Sequence, residues 1–227
     1  MSTVPTNMIL AIDGPAGAGK STVAARLAAR FGLLNLETGA MYRALALKAL
    51  DKGVPLDDAA ALAVLCEQTS IQLEPTASGN RVLLDGKDVT ALIRDTRVTQ
   101  AASQVSVHPP VRKWMVAMQR KLGDRGGVVM EGRDIGTAVF PDADVKIFLD
   151  ASPETRSQRR FDQNGPSAAP PEAVLRDLRE RDERDRTRAQ SPLKPADDAV
   201  VIDSTHLTLE EVVARIEGIV TERLVSR

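Results

Sequence analysis

Residues 8–22 read MILAIDGPAGAGKST, and the order of features within them decides the fold. An apolar run from Met8 to Ile12 stops at Asp13, a glycine-rich loop follows, and then Val23, Leu27 and Phe31 recur every four residues with Ala24 and Ala28 beside them. That last spacing is the signature of an amphipathic helix. Strand, loop and helix in this order are the context that G-x-x-x-x-G-K-[ST] requires, and Gly14, Pro15, Ala16, Gly17, Ala18, Gly19, Lys20 and Ser21 fill it position by position. Successive backbone N–H groups of such a loop turn toward one anion, and the helix sets the positive end of its dipole beneath it. Lys20 is therefore expected at the β- and γ-phosphates of a nucleoside triphosphate such as ATP, with Ser21 offering its hydroxyl to Mg²⁺ and Thr22 beside it. A tight turn with an incidental lysine is the competing reading, and the flanking strand and helix count against it. The motif specifies a triphosphate and not a reaction. No N-K-x-D guanine reader is present, and the D-x-x-G matches at Asp124–Gly127 and Asp162–Gly165 follow no apolar strand, which disfavours a GTPase.

Outward from this stretch, four more short apolar runs alternate with helical segments: Leu33–Leu36, Val128–Met130, Val145–Leu149 and Val200–Ile202. Together with Met8–Ile12 they predict an α/β fold, a doubly wound five-stranded parallel sheet of the P-loop NTPase type with helices on both faces. The runs meet Asp13, Glu37, Glu131, Asp150 and Asp203 at the carboxyl ends of the strands, where such sheets gather ligands. A helix is expected over about Met41 to Leu50. Turns at Ser78-Gly79-Asn80 and Asp85-Gly86, with a strand-like run at Arg81–Leu84 between them, mark a small antiparallel insertion within Ile71–Val89. His108-Pro109-Pro110 should start a helix ending near Leu122, and Gly126-Gly127 breaks the chain before the third strand. Pro153–Arg188 is arginine-rich and interrupted by Asn164-Gly165-Pro166 and Pro170-Pro171, which suits a mobile hairpin of helices. A last helix, Leu209 to Leu224, carries Val212, Val213, Ile216, Ile219 and Val220 on one face. A single domain is expected, with a core of roughly residues 1–60, 107–152 and 189–227, an insertion over roughly 61–106 and a short lid over roughly 153–188.

Composition narrows the function. Thirty basic against 31 acidic residues leave a formal net charge of −1, so no global field attracts nucleic acid or an anionic membrane, and anions must be bound locally. The aromatics are Phe31, Tyr42, Trp114, Phe140, Phe148 and Phe161, too scattered for a base-stacking platform. One cysteine, Cys66, excludes an internal disulfide and a multi-cysteine zinc site. The first residues, MSTVPTN, lack a basic leader, and no apolar run approaches a membrane span. A cytoplasmic monomer acting on small molecules is the expectation.

LETGAMYR (residues 36–43) follows the second strand and EGRDIGT (131–137) the third, so a hydroxyl and two arginines, Thr38, Arg43 and Arg133, emerge beside the phosphate loop. Taken alone, an arginine there is more often an exposed helix residue. Here the chain resembles bacterial cytidylate kinases. The resemblance rests on LETGAMYR, DGKDVTALIR (85–94), AASQVS (101–106), EGRDIGT, VFPDADVKIFLDAS (139–152) and ERDERDRTRAQSPL (180–193), and extends from about Met8 to the terminal helix. It implies that Thr38, Arg43 and Arg133 hold the acceptor phosphate, and that Ser103, Arg112 and Asp134 read cytosine. It also makes the insertion the part that binds the monophosphate. Cytosine offers an amino donor at N4 and acceptors at N3 and O2, so a carboxylate and a guanidinium suit opposite parts of its edge. Uracil would set a carbonyl against Asp134, and a stranded polar partner costs about 1–3 kcal/mol, roughly tenfold to a hundredfold in preference. Bland alternatives stand beside these roles: Ser103 as a cap, Arg112 in a surface pair, Asp134 holding Arg133.

Arg181, Arg184, Asp185 and Arg188 lie at helical offsets of zero, three, four and seven, hence on one face. Six arginines and six acids between Glu172 and Arg188 also fit a solvated helix laced by ion pairs. Under the resemblance, Arg181 and Asp185 approach the acceptor ribose and phosphate, Arg188 the phosphates, and Arg156, Arg159 and Arg160 the donor side. Lys20, Arg133, Arg181 and Arg188 would then be the catalytic cations. The reaction implied is transfer from ATP to CMP and dCMP, with Mg²⁺. Two departures from the family pattern are Glu37, where aspartate is usual, and the short proline-rich stretch Gly165–Pro171.

Overall fold

The computed structural model describes residues 4–76, 79–164 and 170–225. Ser78 of the expected turn and residues 165–169 of the proline-rich stretch lie outside them. The central strand is β1 (Ile9–Asp13), and the sheet runs β2 (Leu34–Glu37), β6 (Val128–Gly132), β1, β7 (Val145–Asp150), β8 (Val200–Asp203). Every neighbouring pair is parallel, so the five expected apolar runs form one sheet with all carboxyl ends on one edge.

Parallel strands need crossovers, and helices cover both faces. Along β1 the side chains alternate with the strand's period of two. Leu10 and Ile12 pack with Val23 and Leu27 of α1 (Lys20–Phe31) and with Val212 and Ile216 of α8 (Leu209–Val225). Ala11 points the other way, into a second core with Met41 and Leu45 of α2 (Thr38–Lys52) and Met115 of α5 (Pro109–Leu122). Each aliphatic side chain so buried contributes about 1.5–3 kcal/mol relative to exposure. Gly14 starts the phosphate loop flat against β7: with φ of 149°, a Cβ there would stand 2.0 Å from the Leu149 carbonyl oxygen.

Helix α2 starts at Thr38, directly after β2, three residues before the periodic signal at Met41. Thr38-Gly39-Ala40 carries no large apolar residue, so periodicity could not mark this first turn. Two further helices had no sequence expectation. α3 (Ala59–Glu67) is apolar on nearly every side and is capped by Asp58, which accepts from the N–H groups of Ala60 and Ala61 at 3.0 and 2.9 Å. α4 (Thr96–Val105) is capped by Asp95.

Between α3 and α4, β3 (Ile71–Thr76), β4 (Gly79–Leu84) and β5 (Lys87–Asp88) make an antiparallel sheet, followed by a 3₁₀ turn at Leu92–Arg94. Asp85 and Gly86 both take positive φ, 49° and 80°, as a two-residue hairpin turn demands. The hairpin docks on the outer edge of β2 through one side chain. Asn80 accepts from the Glu37 N–H at 2.8 Å and donates to the Asn35 carbonyl at 2.7 Å, as a neighbouring strand would. The arginine-rich segment folds as α6 (Pro153–Asn164) and α7 (Pro171–Thr187), packed on each other over the carboxyl edge.

Candidate active site

Because β6 lies between β1 and β2, the loops that leave β1, β2 and β6 emerge side by side. With α6 and α7 above, they bound a cleft of about 990 Å³. Nine cationic side chains against five carboxylates line it, a surplus suited to polyphosphate. On the phosphate-loop wall Lys20 is 5% exposed and donates to the Pro15 carbonyl at 2.6 Å. Burial, then Arg133, pulls its pKa to about 7, against the opposing pull of Glu131. Glu131 is itself raised by burial and by Glu37, while Lys20 and the Ser21 hydroxyl draw it back. Its Oε1 is buried without a hydrogen-bond partner among the described residues.

On the opposite wall Thr38 begins α2 and donates to the Glu131 carbonyl at 2.7 Å, with Arg43 one turn on, hydrogen-bonded to Glu37. Glu37 therefore anchors an arginine of the cleft. Arg133 reaches Asp185 at 2.9 Å, and Arg188 approaches the same carboxylate at 3.5 Å. Burial works to raise the Asp185 carboxyl, yet Arg133, Arg181 and Arg188 together hold it below the ordinary value. Burial and then Arg133 depress Arg181, whose Nε has no partner among the described residues. Deeper, Asp134 is hydrogen-bonded to Arg112 and lies 3.8 Å from Arg188, and the Arg112 guanidinium sits 5.9 Å above the Tyr42 ring. Two phosphate-sized cation clusters thus share one cleft with a buried carboxylate at its far end.

A profile described as Cytidylate kinase matches residues 10–222. The chain belongs to the cytidylate kinase family. A cytidylate kinase of Geobacillus kaustophilus is 52% identical over 217 residues, 95% of this chain and 97% of its own length. One of Geobacter sp. is 48% identical over 228 residues, 99% and 97% of the two chains. Among solved structures, a gluconokinase from Sinorhizobium meliloti superposes with a TM-score of 0.50 at 15% identity, covering 96% of this chain and 94% of its own, a likeness of fold alone.

In this cytidylate kinase family member, Ala16 to Thr22, Thr38, Arg43, Arg112, Arg133, Asp134, Arg159, Arg160, Arg181, Asp185 and Arg188 all line the cleft. Gly14 and Pro15, which start the loop, are buried and outside the lining. One bland alternative and two expectations need correction. Asp134 does not hold Arg133; it pairs with Arg112 and Arg188, while Arg133 pairs with Asp185. Arg160 lies among the acceptor-side cations, where burial and then Arg43 lower it. Arg156 faces away from the cleft. It is 2% exposed, and its guanidinium donates to Ala151 O at 2.9 Å, to Ala16 O at 2.9 Å and to Asp182 at 2.6 Å. It staples α7 to the back of the phosphate loop. Ser103 is also buried behind the lining, its hydroxyl without a partner among the described residues, while Ala102 and Ser106 of the same stretch reach the cleft.

Of the lid face at offsets zero, three, four and seven, Arg181, Asp185 and Arg188 enter the cleft and Arg184 does not. Arg159 is held by Ser204, at 3.1 Å to its hydroxyl and 2.7 Å to its carbonyl. Sequence reasoning missed Tyr42, Asn80 and Thr99, which also line the cleft. Only Tyr42 had a signal, its place within LETGAMYR. The staple has a measurable consequence. Arg156→Ala would strand Asp182, and breaking a buried pair costs about 3–5 kcal/mol. A denaturant melt should show that loss, largely recovered in Arg156→Met/Asp182→Leu. Unchanged stability in the single variant would return Arg156 to the donor site.

Proposed function

We propose that this chain transfers the γ-phosphoryl group of ATP directly and in line to CMP, and also to dCMP, giving ADP and CDP or dCDP. The observation that carries this reading is the convergence of Arg43, Arg133, Arg181 and Arg188, from separate stretches of chain, on the cleft that holds Lys20. Phosphoryl transfer through a loose transition state requires aligned oxygens, cations over the spreading charge and exclusion of water. The phosphate loop and Lys20 seat the donor. Thr38, Arg43 and Arg133 take the acceptor phosphate, Arg181 and Asp185 the ribose side, and Arg188 the phosphates between. Asp134 and Arg112, with Ser103 behind them, present a carboxylate and donors to the cytosine edge. Arg159 covers the donor phosphates as the lid closes, which limits hydrolysis of ATP when no acceptor is present.

The residues present fit Mg²⁺. The Ser21 side chain lies on the cleft, and the unpartnered Oε1 of Glu131 is a hard, buried oxygen beside it. Magnesium takes one or two carboxylates together with substrate phosphates. Ser21 and Glu131 would hold it, and it would offset the charge on the phosphates.

Small nucleotides are the only partners this cleft calls for, and a cytoplasmic monomer suits that role. No helix among the described residues is long and apolar enough to cross a membrane. A coupled assay of ADP formation across CMP, dCMP, UMP, AMP and shikimate tests the reading. CMP and dCMP should be used best, with UMP about tenfold to a hundredfold worse in kcat/KM. ATP binding without CMP-dependent ADP formation would overturn it.

A further inference from the structure

Asp13 ends β1 one residue before the phosphate loop, and the roles assigned above do not use it. Its side chain is buried, 5% exposed, and both oxygens are engaged: Oδ1 accepts from the Ile135 N–H and Oδ2 from the Gly136 N–H, each at 2.7 Å. Those two amides open the π-helical turn Ile135–Val139, which directly follows Arg133 and Asp134. The turn leaves β6, whose Gly132 pairs with Asp13 in register. The contact therefore bridges two adjacent strand ends, one carrying the donor loop and the other the acceptor-reading pair.

Three observations make this more than a packing contact. Hydrogen bonds from two backbone amides to one carboxylate are charge-assisted and directional, so they fix position as well as add energy. Burial raises the Asp13 carboxyl to about 6 against the pull of those amides, with Asp134 adding to the rise and Lys20 opposing it. The turn is also closely packed at Gly136. A Cβ on Gly136 would come within 3.2 Å of Lys146 Cδ and 3.4 Å of Asp13 Oδ2.

We propose that Asp13 is a positioning residue for the acceptor nucleotide, a strut between the first residue of the phosphate loop and the turn that carries Arg133 and Asp134. It sets how far the base-reading carboxylate stands from the donor phosphates. A near-attack geometry tolerates little error, since a misplacement of about 1 Å can cost a hundredfold. The inference rests on Arg133 and Asp134 touching the acceptor.

Asp13→Asn tests it, because the amide keeps one acceptor and turns an N–H toward an N–H. The expected result is a rise of about tenfold in KM for CMP, KM for ATP within about twofold of wild type, and a narrower preference for CMP over UMP. Gly136→Ala keeps the carboxylate and displaces the turn, so it should show the same split, and it decides the matter if Asp13→Asn does not fold. Unchanged KM for CMP in both variants, or equal rises for CMP and ATP, would overturn the proposal. Asp134→Asn is run alongside. If it alone impairs CMP use, only the strut is lost; if it too leaves CMP kinetics unchanged, the acceptor assignment beneath the strut fails as well.

Discussion

Lys20→Ala is expected to lower kcat by about a thousandfold while the protein remains folded and still binds ATP weakly. The magnitude follows from the setting of the ammonium group. Removing one preorganised donor from a charge-stabilising site costs about 2.7–4 kcal/mol, a hundredfold to a thousandfold in rate, and the Lys20 amine is such a donor in a buried site. Burial and Arg133 hold its pKa near 7, so the charged form is short of negative partners in the free protein. Triphosphate supplies them, and the gain is largest as charge builds in transfer. The fold should survive because the ammonium donates to a carbonyl of its own loop, Pro15 O, and so holds no other element in place among the described residues. Steady-state kinetics with a thermal melt checks both halves. Retention of a tenth or more of wild-type kcat would show that the phosphate-loop lysine does not stabilise transfer.

Asp134→Asn should lower kcat/KM for CMP about a hundredfold and leave KM for ATP within about twofold. Arg112 and Arg188 both face this carboxylate at the deep end of the cleft. The amide keeps its volume and one acceptor but removes the charge between two guanidinium groups. It can also turn its NH₂ outward, which suits the O4 carbonyl of uracil, so the margin of CMP over UMP should shrink about tenfold or more. Competition kinetics with both nucleotides reads this directly. Full activity on CMP with an unaltered margin would remove Asp134 from base recognition. Some stability should also be lost, because a buried ion pair broken on one side leaves the other uncompensated.

The sheet was legible in the sequence for a plain reason. The three inner strands are buried along almost their whole length, the two edge strands keep the same apolar habit, and each run was stopped by an acid. The phosphate loop was legible because its chemistry demands particular residues at consecutive positions. What escaped depends on facts that no local pattern carries. α3 reads AAALAVLCE, with no polar face to give it a period, and α2 begins on Thr38-Gly39-Ala40 before its period starts. Arg156 and Arg159 are one turn apart on one helix and look alike in sequence. One is sealed between α7 and the phosphate loop, the other reaches the cleft, and only the packing of α6 on its neighbours distinguishes them. Ser103 shows the same limit, since a shift of one residue along a helix separates lining from core. Asp13 stood in plain view as an acid at a strand end, but its partners lie more than a hundred residues away.

The amide of Asn80, set against the free rim of β2, bears on how the protein behaves in concentrated solution. An outermost ribbon with vacant donors and acceptors is a template on which a second chain can extend the sheet. One side chain from the neighbouring hairpin completes that rim at Asn35 and Glu37, next to Leu34, which lies half open to water. Resistance to edge-to-edge clumping on this flank is thus built from the same strand, β4, that brings Asn80 to the nucleotide cleft.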